Sequence, residues 1–267
     1  TRTLHINGND LNVVIAGKGP EVLLVHGFPD CHDVWRHQIP LLVAAGYRVI
    51  APDTRGCGNS AISPSVSDYH VATLATDLVG LLDALAIDKV RLIGHDWGAV
   101  ICWQLVLAHP ERVDRYIALS VGHPAAYARG GLKQKLKGYY ILLLQLRGIS
   151  EWLLTCCNWL GFRLVTRYPA EFDHWRDALS RPGRLTAALN YYRANLHLPF
   201  TASYPPATVP VMGIWSTEDI ALSERQMVST RQYVQAEWTY RRIDGAGHWL
   251  QLDAPEKLNP MLLEFLR

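Results

Sequence analysis

The chain lacks the features that mark several broad classes of protein. No stretch of about 20 residues runs apolar without interruption, which is the length a membrane-spanning helix needs. The most apolar run, YYILLLQLRGISEWLL (139–154), is cut by Arg147 and Glu151 and reads as a buried or interfacial helix. Basic stripes with interleaved aromatics are missing as well. The 26 Lys and Arg are scattered among 24 Asp and Glu, a near-neutral balance of +2 that argues against nucleic acid as a partner. Nearby LKQKLKG (132–138) reads as a solvated basic face rather than a membrane-surface helix, so no stable membrane insertion is expected.

Cysteine is scarce and unpatterned. Five cysteines show no zinc-type pairing, and the adjacent Cys156 and Cys157 poorly suit an ordinary disulfide. Reduced thiols packed as small apolar residues are the expectation, and with no charged-then-apolar signal segment at the start they point to a cytoplasmic protein. No ligand cluster stands out among the 11 histidines, so neither a metal nor an organic cofactor is expected.

What the chain does have is apolar content: 49% of 267 residues, enough for one large α/β domain with an insertion. TLHINGNDLNVVIAG reads as two strands joined by a tight turn, since Asn7-Gly8 and Asn9-Asp10 tolerate positive φ. EVLLVHG, YRVIAPD and KVRLIGHD are continuous apolar runs, typical of strands buried on both faces. Leu74, Leu78, Leu81 and Leu85 recur at helical spacing and predict a helix over about 68–86. VDRYIALSVGHP is a further strand. After it the rhythm turns helical until VPVMGIW and WTYRRID resume the strands and PEKLNPMLLEFLR closes the chain. The pattern is a mostly parallel, doubly wound sheet, with residues 1–123 and 206–267 forming the core and 124–205 an all-helical insertion.

Ligands of open α/β sheets gather beyond the carboxyl ends of the strands. Four segments fall there: HGFPD (26–30), GHDWG (94–98), STED (216–219) and GAGHW (245–249). In GHDWG the two glycines permit a tight strand-to-helix turn that exposes Asp96, with the Trp97 N–H beside it at the helix N-terminus. Taken alone, Asp96 reads first as a helix cap, Asp219 as a cap or turn former and His248 as a surface loop residue. Their joint order changes that reading. Carboxylate at the elbow, then acid, then histidine, is the nucleophile–acid–base order of α/β hydrolases.

The chain resembles an α/β-hydrolase-fold epoxide hydrolase from its first hairpin to its last helix. HGFPD, PDTRGCGNS, GHDWGA, NYYRAN, WSTED and GAGHW carry the resemblance. It implies that the insertion after the sixth strand is a helical cap, and that the backbone N–H groups of Phe28 and Trp97 form an oxyanion hole. It further implies a cis peptide before Pro29 and two cap tyrosines that protonate the epoxide oxygen. Tyr192 of NYYRAN matches one of these; Tyr140 of KGYYILLLQ is chosen for the other, with Tyr139 beside it as the rival. Both pairs could instead simply pack the cap core.

An aspartate nucleophile has its own chemical logic. A carboxylate attacking an acyl carbon gives an anhydride, whereas attack on a saturated carbon gives an ordinary ester. The second route needs an sp³ carbon with a leaving group, such as an epoxide or an alkyl halide. Asp96 is ionised near neutral pH and needs no base to attack; His248, oriented by Asp219, is needed to activate water against the ester. An opening epoxide leaves an alkoxide that a tyrosine can protonate, which favours the epoxide. The expected partners are therefore hydrophobic epoxides and water, with the protein a monomer or homodimer.

Three other readings stand beside this one. A haloalkane or haloacid dehalogenase would use the same aspartate, with the Trp97 indole as one halide donor; Phe28 occupies a common position of the second, and the cap residues Trp152 and Trp159 have no recognisable halide-site context. A non-catalytic ligand-binding relative is weaker, since all three triad residues are present. A serine esterase would need Ser at position 96. Leu142, Leu143, Leu144, Trp152, Leu153, Trp159 and Phe162 give the cap an apolar stock from which a hydrophobic pocket could be lined.

Overall fold

The computed structural model describes residues 1–201 and 203–267, the side chains at 133 and 199 apart. Its strands are β1 (Arg2–Ile6), β2 (Asn9–Ala16), β3 (Glu21–Val25), β4 (Arg48–Pro52), β5 (Val90–His95), β6 (Val113–Leu119), β7 (Val211–Ser216) and β8 (Trp238–Ile243). They form one sheet in the order β1-β2-β4-β3-β5-β6-β7-β8. β1 and β2 pair antiparallel across a turn in which Asn7 and Gly8 both take positive φ, and β2 pairs antiparallel with β4. From β4 through β3 to β8 every pairing is parallel. Val22, Leu23, Leu24 and Val25 of β3 are wholly buried, the consequence of a central strand covered on both faces.

Helices α1 (Gln38–Ala44), α2 (Val71–Ala84) and α3 (Trp97–Ala108) fill the first half of the core. α2 is shorter than its leucine spacing predicts. A 3-10 turn at Val66–Tyr69 precedes it, and the Asn195 side chain accepts from the Val71 N–H (2.9 Å) at its start. Leu74, Leu78 and Leu81 are buried as their spacing requires. α3 packs against α2, β5 and β6. Trp103 on α3 is fully buried, with its indole N–H donating to the Val121 carbonyl (3.0 Å).

Between β6 and β7 lie the cap helices α4 (Pro124–Ala128), α5 (Gly131–Lys137), α6 (Tyr140–Leu143), α7 (Ile149–Thr166), α8 (Phe172–Leu179) and α9 (Arg184–Ala194). α7 is broken at Cys156–Trp159, where Cys157, Asn158 and Trp159 take positive φ of 52–62°. The chain then closes with α10 (Glu224–Ser229), α11 (Leu250–Asp253) and α12 (Pro255–Leu266). All five cysteines are free.

Helix α9 fixes the cap to the core because its residues, about 100° apart, meet different neighbours. Tyr191 donates to the Arg55 carbonyl (2.7 Å) in the core. Arg193 grips Glu151 on α7 through two nitrogens (2.9 and 3.0 Å) and the Leu144 carbonyl (2.9 Å). Asn195 donates to the Tyr69 carbonyl (2.8 Å) just before α2. Tyr192 is left to face the gap between cap and sheet.

The apolar run 139–154 departs from its expected burial. Leu144 and Leu154 are buried, but Leu142, Leu143, Leu146, Trp152 and Leu153 are exposed. The solvated basic face expected at LKQKLKG is also mixed, since Leu132 and Leu136 stand exposed on α5. Among the described residues no helix is long and apolar enough to cross a membrane.

Candidate active site

The elbow between β5 and α3 holds Asp96 at φ 51°, ψ −122°, a strained conformation for a residue with a Cβ. Glycines make the turn possible by close approach. A Cβ on Gly98 would overlap the Val25 and His26 carbonyl oxygens, and one on Gly27 would run into the Asp96 side chain. Asp96 sits at the N-cap position of α3, yet its side chain makes no capping bond to the helix. Instead Oδ1 accepts from the Phe28 N–H (2.8 Å), and the neighbouring Trp97 N–H helps hold the carboxyl below its ordinary value. The peptide between Phe28 and Pro29 is cis.

His248, in the loop after β8, stands between two carboxylates. Its Nδ1 donates to Asp219 Oδ2 (3.1 Å), and its Nε2 lies 3.5 Å from Asp96 Oδ2. Asp219, in the loop after β7, is locked by the Ala221 and Leu222 N–H groups, which both donate to Oδ1 at 2.8 Å. Burial opposes charge on all three groups, but their mutual attraction outweighs it. His248 is pushed up to about 10, chiefly by Asp219 and then Asp96, while both carboxyls are held below their ordinary value. The resting site is an imidazolium clamped by two anions.

The two cap tyrosines approach from the other side. Tyr140 and Tyr192 meet edge to face with ring centroids 6.0 Å apart, and Tyr192 packs its edge on Trp97 (5.1 Å) and Phe28 (5.5 Å). Burial pushes both phenols well above their usual value, so both hold their protons. Tyr139 stands at the outer rim, 65% exposed.

Two cavities meet at this point, and Asp96, Tyr140, Tyr192 and Ala221 line both. The inner one runs between Val100, Trp103, Tyr127, Ile141 and Leu222. The outer one passes Phe28, His248 and Trp249 to a mouth at Leu132, Leu136, Tyr139, Leu164 and Arg167. The apolar stock anticipated for the pocket is used otherwise. Of Leu142, Leu143, Leu144, Trp152, Leu153, Trp159 and Phe162, none lines either cavity; Leu144 and Phe162 pack the cap interior and the others lie partly or largely exposed.

Several residues of this geometry lie inside HGFPD and GHDWG but were given no role from the sequence. His95 precedes Asp96 and is neutral, lowered to about 4 by burial and by His248. Its Nε2–H donates to the His248 carbonyl (2.9 Å), its Nδ1 accepts from Gln251 (3.1 Å), and its ring lies 4.8 Å from that of His248. His26 likewise ties the Gly27 carbonyl (2.9 Å) to the Thr54 N–H (2.9 Å). Asp30 accepts from the indoles of Trp175 on the cap (2.9 Å) and Trp249 beside His248 (3.0 Å). Burial raises its carboxyl to about 7 despite those two donors.

Potential metal ligands also converge where no cluster was expected. Cys31 lies within ligand distance of Asp33 and His174, and separately of His32 and Asp53. Burial and the Asp53 charge push the Cys31 thiol far up, so a cation there would first have to displace a firmly held proton.

A mostly parallel sheet with a strained elbow, a histidine–acid pair from the last two strand ends and a helical cap defines an α/β hydrolase, here with a carboxylate at the elbow. A profile of the alpha/beta hydrolase fold matches residues 20–255. Epoxide hydrolase A of Mycobacterium tuberculosis is 33% identical, over 99% of this chain and 96% of its own. The AB hydrolase superfamily protein YfhM of Bacillus subtilis is 34% identical over the same shares. The crystal structure of epoxide hydrolase A from Mycobacterium thermoresistibile superimposes with a TM-score of 0.84 at 31% identity, covering 100% of this chain and 97% of that one. The chain belongs to the α/β-hydrolase-fold epoxide hydrolase family.

Proposed function

We propose that the protein hydrolyses hydrophobic epoxides to vicinal diols through an alkyl ester on Asp96. The supporting observation is a carboxylate fixed between the Phe28 N–H and His248, at the meeting point of two largely apolar cavities and beneath two protonated tyrosines. The free Asp96 oxygen attacks an epoxide carbon from the back. As the C–O bond breaks, Tyr140 and Tyr192 donate to the departing oxygen, one proton passes to it, and the alkoxide becomes a hydroxyl. The other Asp96 oxygen, now the ester carbonyl, stays in the pair of N–H groups from Phe28 and Trp97.

Esterification cancels one of the two negative charges that hold the proton on His248. The imidazolium acidity rises, its proton returns through solvent to the phenolate, and neutral His248 becomes the base for the second step. Water gives a proton to Nε2 and attacks the ester carbon. The tetrahedral oxyanion rests on the Phe28 and Trp97 N–H groups, then collapses; the leaving alkoxide takes a proton from the His248 imidazolium, which regains one from the new carboxyl, so the diol departs and the Asp96 carboxylate is restored. Asp219 keeps the ring in place and balances its charge throughout.

Halide displacement fits the site less well. Phe28 offers no side-chain donor to join the Trp97 indole, and neither Trp152 nor Trp159 lines the cavities. The decisive experiment replaces His248 with Gln and follows intact mass in a single turnover. The variant should accumulate protein heavier by the whole epoxide, with the adduct mapped to Asp96. A variant that stays unmodified while the wild type turns over rules out the ester route; an adduct formed with a haloalkane but never with an epoxide moves the assignment to a dehalogenase.

A further inference from the structure

We propose that the outer rim of the cap, formed by α5 and the end of α7, is a docking surface for anionic membrane lipid, from which apolar substrate passes directly into the outer cavity. Leu132, Leu136, Tyr139 and Leu164 are 73, 62, 65 and 63% exposed, and all four line the mouth of that cavity together with Val165 and Ile220. Exposed apolar residues scattered singly are ordinary, but a contiguous patch gathered round one opening marks an interaction site.

Charge selects the partner. Residues 131–167 carry six Lys or Arg against one Glu, whereas the rest of the chain carries 20 against 23. That single acid, Glu151, is already neutralised by Arg193. Among the described residues, the only acid lining the outer cavity is Asp96 at its floor. Apolar side chains amid cations on a short amphipathic helix match the boundary of an anionic bilayer. A second copy of the chain fits poorly, because a twofold contact would bring two such cationic faces together and cover the mouth. A fluid lipid surface leaves the mouth open to molecules dissolved in it. The contact is peripheral, in keeping with the absence of a spanning helix among the described residues.

The test is co-sedimentation of the full chain with phosphatidylcholine vesicles, with and without phosphatidylglycerol, at low and high salt. Binding should require phosphatidylglycerol and weaken as salt rises. Each cation near such a surface contributes about 1 kcal/mol, so Lys135→Gln with Arg167→Gln should weaken binding roughly 30-fold. Leu132→Ser with Leu136→Ser should weaken it too. All four side chains are exposed, so an unchanged thermal midpoint verifies folding. No binding by the wild type, equal binding to neutral vesicles, binding that survives both double variants, or a dimer that buries this face would each overturn the proposal. Hydrolysis of a small water-soluble epoxide reports on Asp96 separately, so docking and chemistry can fail independently.

Discussion

Replacing Asp96 with Asn tests the electrostatic core of the mechanism, because it removes one charge while keeping the shape of the side chain. Asp96 Oδ2 lies 3.5 Å from His248 Nε2 in the native site. Unit charges at that distance attract by about 1 kcal/mol in bulk water and about 5 kcal/mol at an effective dielectric of 20. At about 1.4 kcal/mol per pKa unit, losing the charge should lower His248 by roughly one to three and a half units from its native value near 10. The same fall accompanies ester formation, so the variant mimics the charge state of the intermediate. The assay is an NMR titration of the His248 ring in wild type and Asp96→Asn.

Stability should follow with a definite sign. A histidine raised above its unfolded value of about 6.5 stabilises the fold fully below that pH, and the benefit fades as pH climbs through the folded value. The loss should therefore begin near pH 6.5 in both proteins, but be smaller and complete at lower pH in the variant. An unchanged His248 titration would refute the idea that esterification prepares the base.

Two further substitutions probe neighbouring parts of the site. Tyr140→Phe with Tyr192→Phe should slow epoxide opening about 10²–10⁴-fold, the usual contribution of a positioned acid, while displacement at an alkyl halide loses much less; equal losses in parallel kinetics would remove the tyrosines from the chemistry. Asp30, raised to about 7, holds a proton in the folded state that the unfolded chain releases near pH 4. Its contribution to stability should decline as pH rises from about 4 to 7, by on the order of 4 kcal/mol, and Asp30→Asn should flatten that part of the urea-midpoint profile. A slope unchanged by the substitution would assign the pH dependence elsewhere.

Strand order along the chain, the elbow and the triad order were legible from sequence because each has a local physical signature. Parallel strands buried on both faces must be continuous apolar runs, as at Val22–Val25. A turn that drives α3 against β3 must have glycine at 98, where any Cβ would meet a carbonyl. That the elbow carries a carboxylate, on which the proposed chemistry rests, follows from the residue type at position 96 alone. The bounds of α2 were less legible, since a side chain 124 residues away, Asn195, caps its first amide.

What only the tertiary structure decided is which groups meet. Nothing local distinguishes His95 and His26, which are neutral hydrogen-bond relays, from His248, which is charged; the difference is two carboxylates delivered by β5 and β7. Asp30 acquires its raised pKa from burial, against the pull of two donating indoles 145 and 219 residues away. The fate of the cap leucines is likewise tertiary, because a run rich in leucine fixes how much apolar surface exists but not which side of a broken helix faces solvent. Sequence sets the chemistry each side chain can perform, and folding sets its electric field and its neighbours, which decide whether it does so.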